Sequence, residues 1–166
     1  LQESMQQKQR ELVEAIFRVG RLHNQIAFVY QAVRLNEKTE TSYRKSLDHW
    51  LRIANLLFRD PNHRGQVAIS FYNLACVQSL QKKVDEAMQS MESCFRWGYN
   101  KFDWALQDGD LRNLRKERGE AFSKLIAEVK SGEAEKRWRK EAEDRNKKAA
   151  TEDKAGGEGE KPDGDS

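Results

Sequence analysis

The sequence predicts an all-α fold, and three observations carry that expectation. Only two prolines, Pro61 and Pro162, interrupt 166 residues. No segment alternates apolar and polar residues for long between turn clusters, as a half-buried strand would. Most informative is Phe71-Tyr72-Asn73-Leu74-Ala75-Cys76-Val77, followed after a polar break by Ala87, Met91, Cys94 and Phe95. Large and small side chains at these spacings describe two antiparallel helices, with backbones approaching at the small residues and large ones filling the seam.

The elements follow in order. From Gln2 to Val33 only Gly20 could break a helix. Leu12, Ile16, Val19, His23, Ile26, Tyr30 and Val33 keep gaps of three and four. That spacing predicts one long amphipathic helix, in which Gly20 costs about 1 kcal/mol; the alternative is a break near Gly20 that gives a short leading helix. Asn36-Glu37-Lys38 supplies a polar break and a cap. A second helix is expected from about 37 to 58, carrying Tyr43, Leu47, Trp50, Leu51, Ala54, Leu57 and Phe58. Asp60-Pro61-Asn62 should end it, because proline disfavours helical geometry in the residue before it. A third helix is expected from about Gly65 to Leu80, a turn at Gln81-Lys82-Lys83, and a fourth helix from Val84 to Trp97. Gly98 then reads as a left-handed C-cap.

An internal repeat emerges when the chain is slid by 48 positions. Ile26 falls on Leu74, Ala27 on Ala75, Val29 on Val77, Thr39 on Ala87, Tyr43 on Met91, Ser46 on Cys94 and Leu47 on Phe95. Two helix hairpins of one design are therefore expected, about 2–58 and 65–97. Beyond Gly98 the run Tyr99-Asn100-Lys101-Phe102-Asp103-Trp104 and the Asp108-Gly109-Asp110-Leu111-Arg112-Asn113-Leu114-Arg115 turn lead to an amphipathic helix through Phe122, Leu125, Ile126 and Val129. Segment 99–130 thus reads as a cap that covers the last hairpin. Trp97, Tyr99, Phe102 and Trp104 are expected to pack between hairpin and cap. Residues 1–132 form one helical domain in this reading. Residues 133–150 form a charged, solvated helix without an apolar stripe. Thr151–Ser166, with glycines and six acidic residues, has nothing to bury and is expected to be a disordered tail.

Composition narrows the function. The chain is 37% hydrophobic and 34% charged, less apolar and more charged than an average domain. The formal net charge of +3 divides into −2 from Glu133 to Ser166 and +5 before it, a weak signal for an anionic partner. No stretch approaches the roughly 18 apolar residues of a membrane span. Two cysteines at helical core positions, Cys76 and Cys94, read as free buried thiols of a reducing compartment, the cytoplasm. His23, His49 and His63 share no metal-ligand spacing, with His63 expected in a loop. No phosphate loop or nucleophile elbow occurs, and Asp108-Gly109-Asp110 lacks the ligand series of a calcium loop. No catalytic residue, cofactor or metal is expected. Trp138 among Lys136, Arg137, Arg139 and Lys140 is the best nucleic-acid candidate, yet interleaved Glu133, Glu135, Glu141, Glu143 and Asp144 neutralise that run.

The Asn73-Leu74-Ala75 helix, the small residues of the paired helix and the Asp-Leu-x-x-Leu-Arg step at 110–115 together resemble the tetratricopeptide repeat family over about residues 20 to 130. The 48-residue period and the Leu57–Ala75 segment are similar to the long-period repeats of kinesin light chains and many bacterial proteins. Segment 99–130 resembles the element that closes bacterial arrays, although Glu117-Arg118-Gly119 stands where that family has an Asp-Pro turn. The resemblance implies a right-handed superhelical stack and a non-catalytic scaffold for protein partners. It further implies a concave groove lined by the first helix of each hairpin. In this chain those positions are Arg21, Asn24, Phe28 and Gln31, then Ile69, Tyr72, Asn73, Cys76 and Ser79. Asn24 and Asn73 can hydrogen-bond a peptide backbone, with Phe28 and Tyr72 as apolar footing. Only Arg21 is available there to grip a carboxylate. Because the chain begins at Leu1, it is read as the C-terminal part of a larger protein. The alternatives are an accessory region of a bacterial signalling enzyme, a self-associating unit or a nucleic-acid binder through 136–140.

Overall fold

A computed structural model describes residues 2–57 and 60–156, and every regular element among them is helical. They are α1 (Gln2–Ala32), α2 (Asn36–Arg52), α3 (Ala54–Leu57), α4 (Pro61–Leu80), α5 (Val84–Arg96), α6 (Phe102–Gln107), a 3-10 turn (Gly109–Leu111), α7 (Arg112–Ser131) and α8 (Glu133–Gly156). The chain divides into two compact units, residues 1–126 and residues 127–166.

Helices α1 and α2 form an antiparallel hairpin. Its tightest point is Gly20, whose carbonyl accepts from Ser46 Oγ at 2.8 Å, while Trp50 Nε1 donates to Phe17 O at 3.2 Å. A Cβ at Gly20 would collide with Nε1 and the neighbouring ring atoms of Trp50. Glycine is therefore placed where the indole of Trp50 crosses the backbone, and the helix tolerates its propensity cost for that reason. Helices α4 and α5 repeat the hairpin, with Gln78 and Ser90 hydrogen-bonded at 2.7 Å.

The two hairpin turns match 48 residues apart. Arg34 and Lys82 both adopt positive φ, 59° and 61°, and Leu35 and Lys83 share the same cap conformation. Leu35 N donates to Tyr30 O as Lys83 N does to Gln78 O, at 2.9 Å in both. Thr39 and Ser46, the polar members of the repeat, are as fully buried as Ala87 and Cys94. Thr39 Oγ1 bonds back to Leu35 O at 3.0 Å, so its hydroxyl is satisfied without leaving the seam.

The hairpins meet along α2 and α4 through a core of Ala27, Tyr43, Leu47, Trp50, Val67, Leu74 and Val77, flanked by Phe17, Phe71 and Trp97. Glu40 joins them at one end. Its buried carboxylate binds Arg44 and Lys83, both at 2.7 Å, and Gln81 Nε2 at 3.1 Å. Burial alone would raise its pKa; hydrogen bonds and charge from Lys83 and Arg44 outweigh that and hold it down at about 2.

Several sequence expectations are corrected. The α1 stripe is split: Ile16, His23 and Tyr30 are half-buried, but Leu12, Val19, Ile26 and Val33 are exposed. The inward face is instead Val13, Phe17, Gly20, Asn24, Ala27 and Gln31, where smaller and polar side chains let neighbours come close. The second helix stops at Arg52 rather than near 58, with Ile53 in a turn before α3. Asp60-Pro61-Asn62 starts α4 instead of merely ending its predecessor. Asp60 Oδ1 accepts from Asn62 N at 2.8 Å and Pro61 occupies the first turn, where its missing N–H costs nothing. His63 is consequently a buried residue of α4, not a loop residue. Gly98 does adopt the left-handed cap, at φ 98°. Trp104, expected in the cap core, is exposed, whereas Tyr99 stacks on Tyr72 and Phe102 packs on Phe95. α7 is kinked at Arg118 (φ −131°, ψ 25°), within the Glu117-Arg118-Gly119 departure. α8 continues through 151–156, which the sequence reading placed in the tail; residues 157–166 lie outside the described residues.

Candidate functional site

The nine residues expected to line a groove are divided sharply by the cap. Tyr72, Cys76 and Ser79 are buried. Asp108 is the reason: its Oδ1 accepts from Asp110 N at 2.9 Å, capping the 3-10 turn, and its Oδ2 accepts from Tyr72 OH at 2.6 Å. Cys76 Sγ lies 3.8 Å from the same oxygen. One turn later, Asn113 Nδ2 donates to Ser79 O at 2.8 Å and Leu114 N to Ser79 Oγ at 3.3 Å. Arg115 Nη1 ties the loop together through Asp108 O at 2.6 Å and Ala105 O at 3.2 Å. This part of α4 therefore holds the cap.

The electrostatics agree with a structural role there. Burial, then the bond to Asp108, pushes the Tyr72 phenol far above its ordinary range. Burial raises the Cys76 and Cys94 thiols strongly, with Asp108 and Asp110 adding to the effect at Cys76. Both cysteines are free and buried, and burial disfavours the thiolate, the nucleophilic form.

The other groove residues behave differently. Arg21 is exposed, Phe28 is 70% exposed and Ile69 45% exposed; Asn73 is half-buried. Asn24 Oδ1 accepts from Ser70 Oγ at 3.0 Å and thereby links α1 to α4. Gln31 Oε1 accepts from Tyr43 OH at 3.0 Å. Gln31 also lines a cleft of about 650 Å³ with Arg34, Asn36, Leu80, Gly109, Asp110 and Arg112. This cleft gathers the end of α1, the end of α4 and the 3-10 turn, with two exposed arginines at its walls. Asp110 in it has a carboxyl raised by burial and by Asp108, against the pull of Arg112. Sequence reasoning missed Arg34 and Arg112. The former sits in a turn and the latter in the cap, 78 residues apart in the chain; only tertiary structure makes them neighbours.

The remaining constellations are accounted for by packing. The His23 and His49 rings stack at 5.4 Å across α1 and α2. Burial lowers the His23 pKa, and the nearby His49 and Lys45 lower it further. Among the described residues no three His, Cys, Asp or Glu side chains gather as a metal site would require. None of their helices is long and apolar enough to cross a membrane. In the second unit, Lys136 pairs with Glu133 at 2.7 Å, and Arg137 with Glu128 and Glu141 at 3.3 Å each. Part of the basic run around Trp138 is thus spent on carboxylates. Comparison with known proteins gives no match to a family model, a curated protein or a solved structure.

Proposed function

We propose that residues 1–126 are a tetratricopeptide-like scaffold that holds a partner peptide or helix against α1 and α4 without catalysing a reaction. The observation that carries this reading is the cleft bounded by Gln31, Arg34, Asp110 and Arg112, with exposed Phe28 one helical turn before Gln31. Two guanidiniums facing one cleft suit a carboxylate, either a chain terminus or an acidic side chain, which planar forked donors bind well. Gln31 and Asp110 offer acceptors for peptide N–H groups, and Phe28 offers apolar footing. Recognition then rests on shape, a few hydrogen bonds and one charge. Tyr72, Cys76 and Ser79 keep the cap in place, so the groove is shorter than the nine-residue surface expected from sequence. A contact this small implies weak, transient binding.

The test is to identify partners by cross-linking to the chain and mass spectrometry, then titrate the captured peptide. Arg34→Glu with Arg112→Glu should weaken its binding by about tenfold or more, and Phe28→Ser by less. All should melt like the parent. Undiminished affinity in properly folded variants would remove the cleft from consideration.

A further inference from the structure

At one place the first hairpin is filled and the second is open. In the first, the rings of Phe17 and Trp50 stack with centroids 5.9 Å apart, beside Gly20. The same three positions 48 residues further on are Gly65, Gly98 and Ala68. Two rings are thus missing from the second hairpin. A groove of about 440 Å³ lies there, between the first turns of α4 and the segment 97–101 that follows α5. A Cβ at Gly65 would meet nothing within 4 Å. The walls are firm, because Tyr99 stacks on Tyr72 at 4.8 Å and Trp97 meets His63 edge-on at 6.2 Å. Arg64 and Lys101, the two charged side chains that line the groove, are both cationic. The slot therefore suits an aromatic ring with a carboxylate next to it.

The chain carries such a pair itself. Trp104, three residues after Lys101, is 62% exposed, and Asp103 precedes it. On the same short helix Phe102 packs on Phe95 and Ala105 is fully buried, whereas the indole of Trp104 lies in solvent and lines no part of its own chain's groove. We infer that Trp104 of one chain occupies the groove of a second copy, with its ring beside Gly65 and Gly98 and with Asp103 toward Arg64 and Lys101. Two matches select a second copy over an unrelated partner. The ring that the slot lacks stands exposed on the same chain, and the carboxylate beside that ring answers the slot's cationic lining. Slot and knob also belong to one stretch, 97–104, so a two-fold pairing satisfies both at once. Each copy then gives and receives one indole, and assembly closes at the dimer. A buried indole is a common anchor of protein contacts. Two contacts of this size fall below a standard interface, so the dimer is weak and forms at high micromolar concentration. It draws on none of the residues of the cleft at Arg34 and Arg112.

Sedimentation equilibrium of the 166-residue chain at concentrations up to about 1 mM tests the inference. The apparent mass should rise from 19.3 kDa toward twice that value and no further. Trp104→Ala removes the knob at an exposed position and should weaken association by about 30-fold or more. Gly65→Trp fills the slot from its own chain and should do the same. Gly65→Ala leaves the slot open and should associate like the parent. Far-UV circular dichroism should show all three variants as helical as the parent. An equimolar mixture of the Trp104→Ala and Gly65→Trp chains should associate more strongly than either alone, since one keeps the slot and the other the knob. A mass of one chain at every concentration would overturn the inference. Association that survives Trp104→Ala or Gly65→Trp would overturn it equally and move the contact to another face.

Discussion

The two hairpins share one design and differ in what surrounds them. Ile26 and Leu74 occupy equivalent positions, as do Val29 and Val77, and their turns match bond for bond. Yet Ile26 is 42% exposed and Val29 61%, against 3% for Leu74 and none for Val77. α4 is enclosed by α2, α5 and the cap, whereas α1 has a neighbour on part of its circumference only. Burial of a residue therefore reports how far its helix is enclosed by others. The local sequence pattern reports only which helix it pairs with inside its own hairpin.

The most direct way to break this contrast is truncation of the paired positions. Leu74→Ala should lower unfolding free energy by about 3 kcal/mol, as core leucines do. Ile26→Ala, at a position 42% exposed, should cost less than about 0.5 kcal/mol. Chemical denaturation of both variants decides it, and equal losses would mean that the open face of α1 is covered within a single chain.

Gly20 sharpens the comparison from the other side. Its equivalent in the second hairpin is Ala68, which is buried without strain, and the equivalent of Trp50 is Gly98. Gly20→Ala forces a methyl into the indole and should cost about 2 kcal/mol despite better helix propensity. Trp50→Leu combined with Gly20→Ala should restore part of that loss relative to the sum of the single changes. Additive losses would show that the close approach of Trp50 is not what requires glycine.

Glu40 joins the two hairpins, and Glu40→Gln should cost about 1.5 kcal/mol by leaving Lys83 and Arg44 without their buried anion. The pH dependence follows from a carboxyl held down at about 2 against an ordinary 4.5. Below 4.5 the unfolded chain takes up the proton first, so stability falls from there toward pH 2. Thermal melts over that window should drop steeply in the parent and less in Glu40→Gln.

How much of this was legible in sequence depends on the range of the interactions. The turn at Lys82 and the Gly98 cap follow from contacts within a few residues, and a 48-residue slide was enough to align the two hairpins. The facing of α1 was misjudged because two apolar stripes share one helix. Ile16, His23 and Tyr30 border both, so a row drawn through them mixes inward and outward residues. Partners distant in sequence, Tyr43, Ser46, Trp50 and Ser70, fix which side turns in. The groove suffered in the same way. Tyr72, Cys76 and Ser79 lie on the side of α4 expected to be open, and Asp108 and Asn113 close it. Arg34 and Arg112 gave no local signal, since neither belongs to a periodic pattern.

The smallest expected effect concerns the start of α4, where His63 is fully buried, whereas its equivalent Ala15, midway along the longer α1, is exposed. Among the described residues neither ring nitrogen of His63 has a hydrogen-bond partner, and the ring is flanked by Phe17 at 5.9 Å and Trp97 at 6.2 Å. A buried polar group left unpaired costs about 1 kcal/mol or more. Burial lowers the His63 pKa, with Asp60 pulling weakly the other way. The folded chain therefore resists protonation, and its stability falls as pH drops through 6.5, where the unfolded histidine charges. His63→Leu should raise stability by about 1 kcal/mol near neutrality. The gain should grow at pH 5, because leucine has no proton to refuse. A variant that melts below the parent at both pH values would mean that the imidazole has a partner holding α4 to its neighbours.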